Sequence, residues 1–321
     1  MQWLLVRTDG APVFTGVVQV KVGGIEEAQG KTGLAHMFEH MAFKGTREIG
    51  TTDFAAEAEQ LAAIRRLEAR IAKATPEERQ ALEKELEGIA AEARKYAVSN
   101  ELWRLFHKNG ADELNAYTNK DLTGYYARLA TNMLPLWAYL TAGMVGAPVL
   151  REFYQERSVV MEERRSSVDS NPHGKLYEAL VGTAFDKSPY RWPTIGSMED
   201  LRDLRLTDAE SFYRNYYCPD RMVGVVAGGI DVGLARRAVT QSFGALPARR
   251  CLPLTPHESV EPPQSSPRKV IVPFRAEPRI MIAWHKPALP HRDDYVFDLL
   301  LPIFCDGTTS RLARRLVQTE R

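Results

Sequence analysis

The run Gly33-Leu34-Ala35-His36-Met37-Phe38-Glu39-His40-Met41-Ala42-Phe43 decides how this chain is read. On a helix that advances about 100° per residue, Leu34, Met37, Phe38 and Met41 fall on one arc, and His36, Glu39 and His40 on the opposite one. The apolar arc predicts packing against a sheet, so a short helix is expected from about Thr32 to Phe43. The polar arc sets two imidazoles four residues apart, near enough to converge on one ion, with a carboxylate beside them.

Imidazole and carboxylate ligands with one open position are the catalytic arrangement of zinc, so one Zn2+ per site is expected. Glu39 is then free to take a proton from water attacking a carbonyl. The order H-x-x-E-H is a known metallopeptidase signature. Against this stands a helix surface that carries two histidines and an acid by coincidence, and 7 His in 321 residues leave that open. A third ligand is needed. The segment Glu156-Arg157-Ser158-Val159-Val160-Met161-Glu162-Glu163 is helical in pattern and acidic. Glu156 and Glu163 share a face two turns apart, while Glu162 points about 100° away. Spacing alone leaves Glu162 and Glu163 both possible, and a solvated charged face is the plain alternative.

Working outward, Val18, Val20 and Val22 alternate with Gln19 and Lys21, giving a strand within Pro12 to Gly24. Residues 52–100 change character to Ala, Glu, Arg and Leu, with Leu61, Ile64, Leu67 and Ile71, then Leu82, Leu86 and Ile89, at helical spacing. Thr75, Pro76 and Glu78 form an N-cap, first-turn proline and capping-box acid, so a projecting helical hairpin is expected, read as a spacer in preference to a partner or substrate arm. Glu113 to Thr118 is strand-like, and Arg221 to Gly229 reads as a buried strand. Prolines at 253, 256, 262, 263 and 267 mark residues 248–268 as a linker. Strand patterns restart at Val270 to Phe274 and Arg279 to Trp284, and the chain ends inside an amphipathic helix. Residues 269–321 are few for a domain.

Composition narrows the function classes. Hydrophobic residues are 44%, charged residues 26% and formal net charge +1, a globular balance without the basic excess that nucleic-acid binding needs. Cys218, Cys251 and Cys305 are odd in number and far apart, so neither a disulfide framework nor a C-x-x-C metal site is expected. Residues 131–150 are apolar but interrupted by Pro135, Gly143, Gly146 and Pro148, which predicts a buried helix, not a membrane span. No secretory signal is expected, and the compartment stays open between cytoplasm and periplasm.

Taken together, these blocks resemble the pitrilysin/insulinase family of zinc peptidases, the group that includes the mitochondrial processing peptidase. Gly33 to Thr46 matches the family's active-site helix. Asn115-Ala116-Tyr117-Thr118 with Thr123 and Tyr125-Tyr126 matches a second block, and the acidic segment a third. Pro189-Tyr190, Pro193-Thr194-Ile195-Gly196, and Phe212-Tyr213 through Tyr216-Tyr217 to Pro219 match the late part of the first domain. The resemblance implies an α+β fold, a mixed and largely antiparallel sheet packed by helices. It implies a zinc-bearing domain over 1–247, with 52–100 an inserted hairpin, and the start of a related second domain over 269–321. It further implies endopeptidase activity on extended or unfolded polypeptides, with His36, His40 and Glu163 on zinc, Glu39 as base and Glu156 supporting from just outside the ligands. Asn115 and Ala116 would meet the substrate backbone along an edge strand. Family members enclose substrate between two halves, the far one supplying an Arg/Tyr pair, so a homologous partner subunit or further sequence is expected.

Overall fold

Alternation of apolar and polar residues builds a five-stranded sheet in the computed structural model, which describes residues 1–254 and 261–319. Its strands are β1 (Gln2–Arg7), β2 (Val13–Val20), β3 (Asp112–Thr118), β4 (Thr123–Ala130) and β5 (Met222–Gly228), in the order β1-β5-β2-β4-β3. Only β1 and β5 run parallel; β5–β2, β2–β4 and β4–β3 are antiparallel, so the sheet is mixed and largely antiparallel. Phe14, Gly16, Val18 and Val20 of β2 are buried, and Phe14 and Val18 lie opposite the buried Leu129 and Tyr125 of β4. The other face is wetter: Gln19 Nε2 donates to the Tyr117 hydroxyl across it at 2.6 Å. β3 is an edge strand.

Ten helices among the described residues of the first unit cover the sheet and its ends: α1 (Leu34–Ala42), α2 (Phe54–Ile71), α3 (Pro76–Arg94), α4 (Glu101–Lys108), α5 (Leu134–Gly146), α6 (Phe153–Arg164), α7 (Pro172–Ala184), α8 (Met198–Asp203), α9 (Leu206–Tyr216) and α10 (Val232–Phe243). α5 is apolar nearly all round because it is enclosed: its Trp137 packs edge-on against Phe14 at 5.7 Å, and Phe243 of α10 meets Trp3 at 4.8 Å. No helix among the described residues is long and apolar enough to cross a membrane.

The hairpin is α2 and α3, joined through Thr75, whose capping box with Glu78 is complete. It is anchored, not projecting, along its first leg. Glu57 and Glu68 of α2 are buried, and both bond to the domain: Glu57 to Arg151, and Glu68 to the backbone N–H groups of Leu206 and Thr207 at the start of α9. Arg65 adds a forked pair with Glu210 of α9. An apolar stripe shows that α2 is amphipathic but not that two carboxylates on it are buried with partners, which is why projection was the wrong expectation. α3 is more exposed, burying only Leu86 and Ala93.

Cys218 and Cys251 form a disulfide, with Cα atoms 5.9 Å apart across 33 residues. This corrects the expectation from cysteine count: the pair meets because the chain after α10 doubles back over the segment leading into β5, a contact that spacing does not encode. Cys305 is free and exposed.

The chain divides into two units, Met1–Ala276 and Glu277–Arg321. Part of the expected linker is fastened to the first unit: Glu261 accepts backbone N–H bonds from Asp186, Lys187 and Ser188, and Arg268 pairs with Asp186 at 2.6 Å. Residues 255–260 of that linker and 320–321 of the final helix lie outside the described residues. The second unit holds α11 (Arg292–Phe304) and two further helical turns, Arg311–Ala313 and Arg314–Thr319. The strands expected at 270–274 and 279–284 are not formed. Alternation supplies a strand with a face but not with a partner, and no ladder neighbour exists for them among the described residues. Ile280 and Trp284 are accordingly 82% and 79% exposed.

Candidate metal centre

α1 begins at Gly33, whose φ of 89° places it in the left-handed region. A side chain there would be strained and would also strike the Ile195 carbonyl, 2.6 Å from an ideal Cβ. Gly33 offers no capping side chain, and Glu27 does that work from six residues upstream: its buried carboxylate accepts the N–H groups of Gly33 (3.0 Å) and Ala35 (2.7 Å). Leu34, Met37, Phe38 and Met41 are buried, as their arc requires. Phe38 stacks on Tyr213 of α9 at 5.4 Å and meets Tyr217 at 4.2 Å. With that face fixed, His36, Glu39 and His40 turn toward α6 and the end of β3.

The structure brings His36, His40 and Glu163 together. Glu163 Oε1 lies 3.7 Å from His36 Nε2, and its Oε2 lies 3.4 Å from His40 Nε2; one donor atom from each of the three falls within 4.8 Å of the others. Tetrahedral ligands about 2.0–2.2 Å from zinc stand roughly 3.3–3.5 Å apart, so this donor set fits the ion. Glu162, which spacing left open, faces away and pairs with Arg165 at 2.6 Å. Glu156 accepts a hydrogen bond from His40 Nδ1 at 3.0 Å, directing Nε2 to the common point. Burial and the neighbouring His40 lower the His36 pKa to about 4, keeping it in the neutral form that binds metal. Burial opposes charge on His40 too, but its hydrogen bonds to the Glu156 and Glu163 carboxylates outweigh it and raise His40 to about 9.

Glu39 is held by Thr118, at the end of β3, whose hydroxyl donates to Glu39 Oε2 at 2.5 Å. Burial raises the Glu39 pKa, with the Thr118 bond and His40 pulling the other way. Asn115 and Ala116 lie on the same strand, paired with Tyr126 and Tyr125 of β4 and unpaired on the outer side among the described residues. The Ala116 N–H is taken by Asn115 Oδ1 at 2.9 Å. A cavity of about 210 Å³ opens here, lined by Glu39, His40, Lys44, Trp103, Asn115 and Glu156 among others.

Sequence reasoning singled out neither Glu27, Lys44, Thr118 nor Glu152. Thr118 stood inside a quoted block, and its place at a strand end facing α1 was the missing fact. Lys44, just beyond α1, bridges Glu156 at 2.6 Å and Glu152 at 3.5 Å. No spacing rule links it to acids more than a hundred residues away.

A sheet-and-helix domain whose active helix carries an inverted histidine pair, completed by a carboxylate from a later helix, defines a class of metal-dependent peptidases. The model of the insulinase family, peptidase family M16, matches residues 4–70 and 86–197, and the M16 inactive domain matches 203–321. The chain belongs to this family. The gap in the match covers only residues 71–85, the far end of the hairpin. The chain is 28% identical to the zinc protease PqqE of Helicobacter pylori over 320 residues, 96% of this chain and 60% of that protein. It therefore spans less than two thirds of that relative's length. The crystal structure of a protease from Helicobacter pylori superposes with a TM-score of 0.76 at 25% identity, covering 99% of this chain and 66% of the other. The periplasmic protease PqqL of Escherichia coli shares the fold, with a TM-score of 0.59 at 19% identity over 79% of this chain and 24% of that one.

Proposed function

We propose that this chain is the metal-bearing part of a zinc-dependent endopeptidase acting on extended peptides or unfolded polypeptides. The observation that carries this reading is the convergence of His36, His40 and Glu163 beside a carboxylate, Glu39, that none of them needs as a ligand. His36, His40 and Glu163 would hold the ion, with Glu156 orienting His40. Bound zinc would supply Lewis-acid polarisation of water and of the scissile carbonyl. Glu39, steadied by Thr118, accepts the proton of the attacking water and returns it to the leaving amine. The substrate backbone adds to the outer edge of β3, where the Ala116 N–H exchanges its bond to Asn115 for one to the peptide.

A second reading, a non-catalytic subunit, draws on the match to the inactive domain. That match begins at residue 203, whereas His36, Glu39, His40, Glu156 and Glu163 all lie in the segments matched by the insulinase model. Chemistry is therefore assigned to the first segments, and the enclosing half of the chamber to a homologous partner or to further sequence. The Cys218–Cys251 disulfide favours an oxidising compartment such as the periplasm.

The test is Glu39→Gln. One zinc per chain should be retained while hydrolysis of an unfolded protein substrate falls by at least about 100-fold. Turnover surviving in the variant overturns the assignment, and a wild-type chain that purifies without stoichiometric zinc supports the subunit reading.

A further inference from the structure

The hairpin root is wired to the metal ligands through buried charge. Ser99 Oγ, just after α3, donates to Glu152 Oε1 at 3.2 Å, and Arg94 Nε of α3 lies 3.8 Å from the same oxygen. The other oxygen of Glu152 faces Lys44 Nζ at 3.5 Å; Lys44 in turn holds Glu156 Oε2 at 2.6 Å, and Glu156 Oε1 meets His40 Nδ1 at 3.0 Å. Lys44, Glu152 and Glu156 have side chains only 12%, 6% and 13% exposed, so solvent does little to screen the contacts among these three, while Arg94 at the hairpin end is half-exposed.

The backbone supports the same connection. Glu152 sits at φ 57°, a conformation that an acidic residue adopts at a cost, immediately before α6. Its neighbour Arg151 bonds Glu57 on α2 and the carbonyls of Lys44, Thr46 and Ile49 in the segment after α1. One pair of consecutive residues therefore fastens the hairpin root both to the end of the helix bearing His36 and His40 and to the start of the helix bearing Glu163.

We infer that Lys44 is a positioning residue that couples the hairpin to the zinc site, so that whatever holds the root of the hairpin sets how firmly His40 is presented to the metal. The hairpin is then a control element and not a spacer. Without Lys44, Glu156 and Glu152 face each other as buried like charges, and Glu156 loses the contact that aims it at His40. This inference rests on the zinc reading but not on peptide hydrolysis.

The experiment is zinc affinity of the full chain, by competition with a chromogenic chelator, for wild type, Lys44→Met, Lys44→Arg and the double variant Arg94→Ala/Ser99→Ala. Lys44→Met should weaken zinc binding about tenfold, the scale of losses from groups outside the ligands. Lys44→Arg should recover most of that loss, and the double variant, which leaves the ligand helices untouched, should weaken zinc about twofold to threefold. Unchanged zinc affinity in Lys44→Met overturns the inference, as does a melting temperature of the zinc-free variant that drops while affinity holds, which would make Lys44 simple packing. If Lys44→Met does not fold, an unchanged affinity in the double variant overturns the inference equally. A wild-type chain that binds no zinc instead overturns the proposed function itself.

Discussion

The hairpin's first leg, α2, carries Glu57 and Glu68, buried and bonded to Arg151 and to the N-terminus of α9; at the turn between the two legs the side chains of Thr75 and Glu78 cap each other's backbone N–H groups. One leg is thus integral to the domain along its length, whereas the turn at Thr75 is closed by its own cap and the second leg buries only Leu86 and Ala93. The break in the family match at residues 71–85 covers that turn and the first half of α3, where Glu83 reaches Arg205 at 2.9 Å. A stretch whose polar groups are satisfied internally can be lengthened or shortened without disturbing the rest, whereas one whose carboxylates reach into the domain cannot.

Three substitutions probe this contrast, with declining effect. Arg151→Met should cost about 3–5 kcal/mol, because Glu57, with a side chain 1% exposed, is left as a buried charge and three carbonyls lose their donor. Denaturant unfolding measures this, and a loss below about 1 kcal/mol would mean the root is not the anchor. Glu68→Gln should cost about 1–3 kcal/mol, since both carboxylate oxygens accept backbone N–H groups and an amide offers an oxygen to only one of them. Thr75→Ala at the tip should cost about 1 kcal/mol through the lost cap. It should also leave zinc affinity unchanged; a shift there would show that the tip too is coupled to the metal.

What could be read from the sequence followed from period. The arcs of α1 were legible because 3.6 residues per turn fix which side chains share a face, and the burial of Val18, Val20 and Val22 because a strand alternates. Glu163 against Glu162 was not legible from spacing, since either can point inward until α6 is docked on α1. The Cys218–Cys251 pair, the burial of Glu57 and Glu68 and the bridge made by Lys44 depend on long-range packing, which periodicity does not carry. The absent strands at 270–274 and 279–284 show the converse: an alternating pattern forms no strand and stays largely exposed when, among the described residues, no neighbour completes its ladder.

The order β1-β5-β2-β4-β3 also bears on how the protein is made. β1 spans residues 2–7, yet among the described residues its only partner is β5 at 222–228, and β2 lies between β5 and β4. Nearly the whole first unit must therefore leave the ribosome before the sheet can close, and pairings of such sequence separation form slowly. The packing of α2 on α3 is local in sequence and can form before their ties to Arg151 and α9 are available. During synthesis, then, the two histidines are present for a long interval with the hairpin beside them but without the finished sheet behind them.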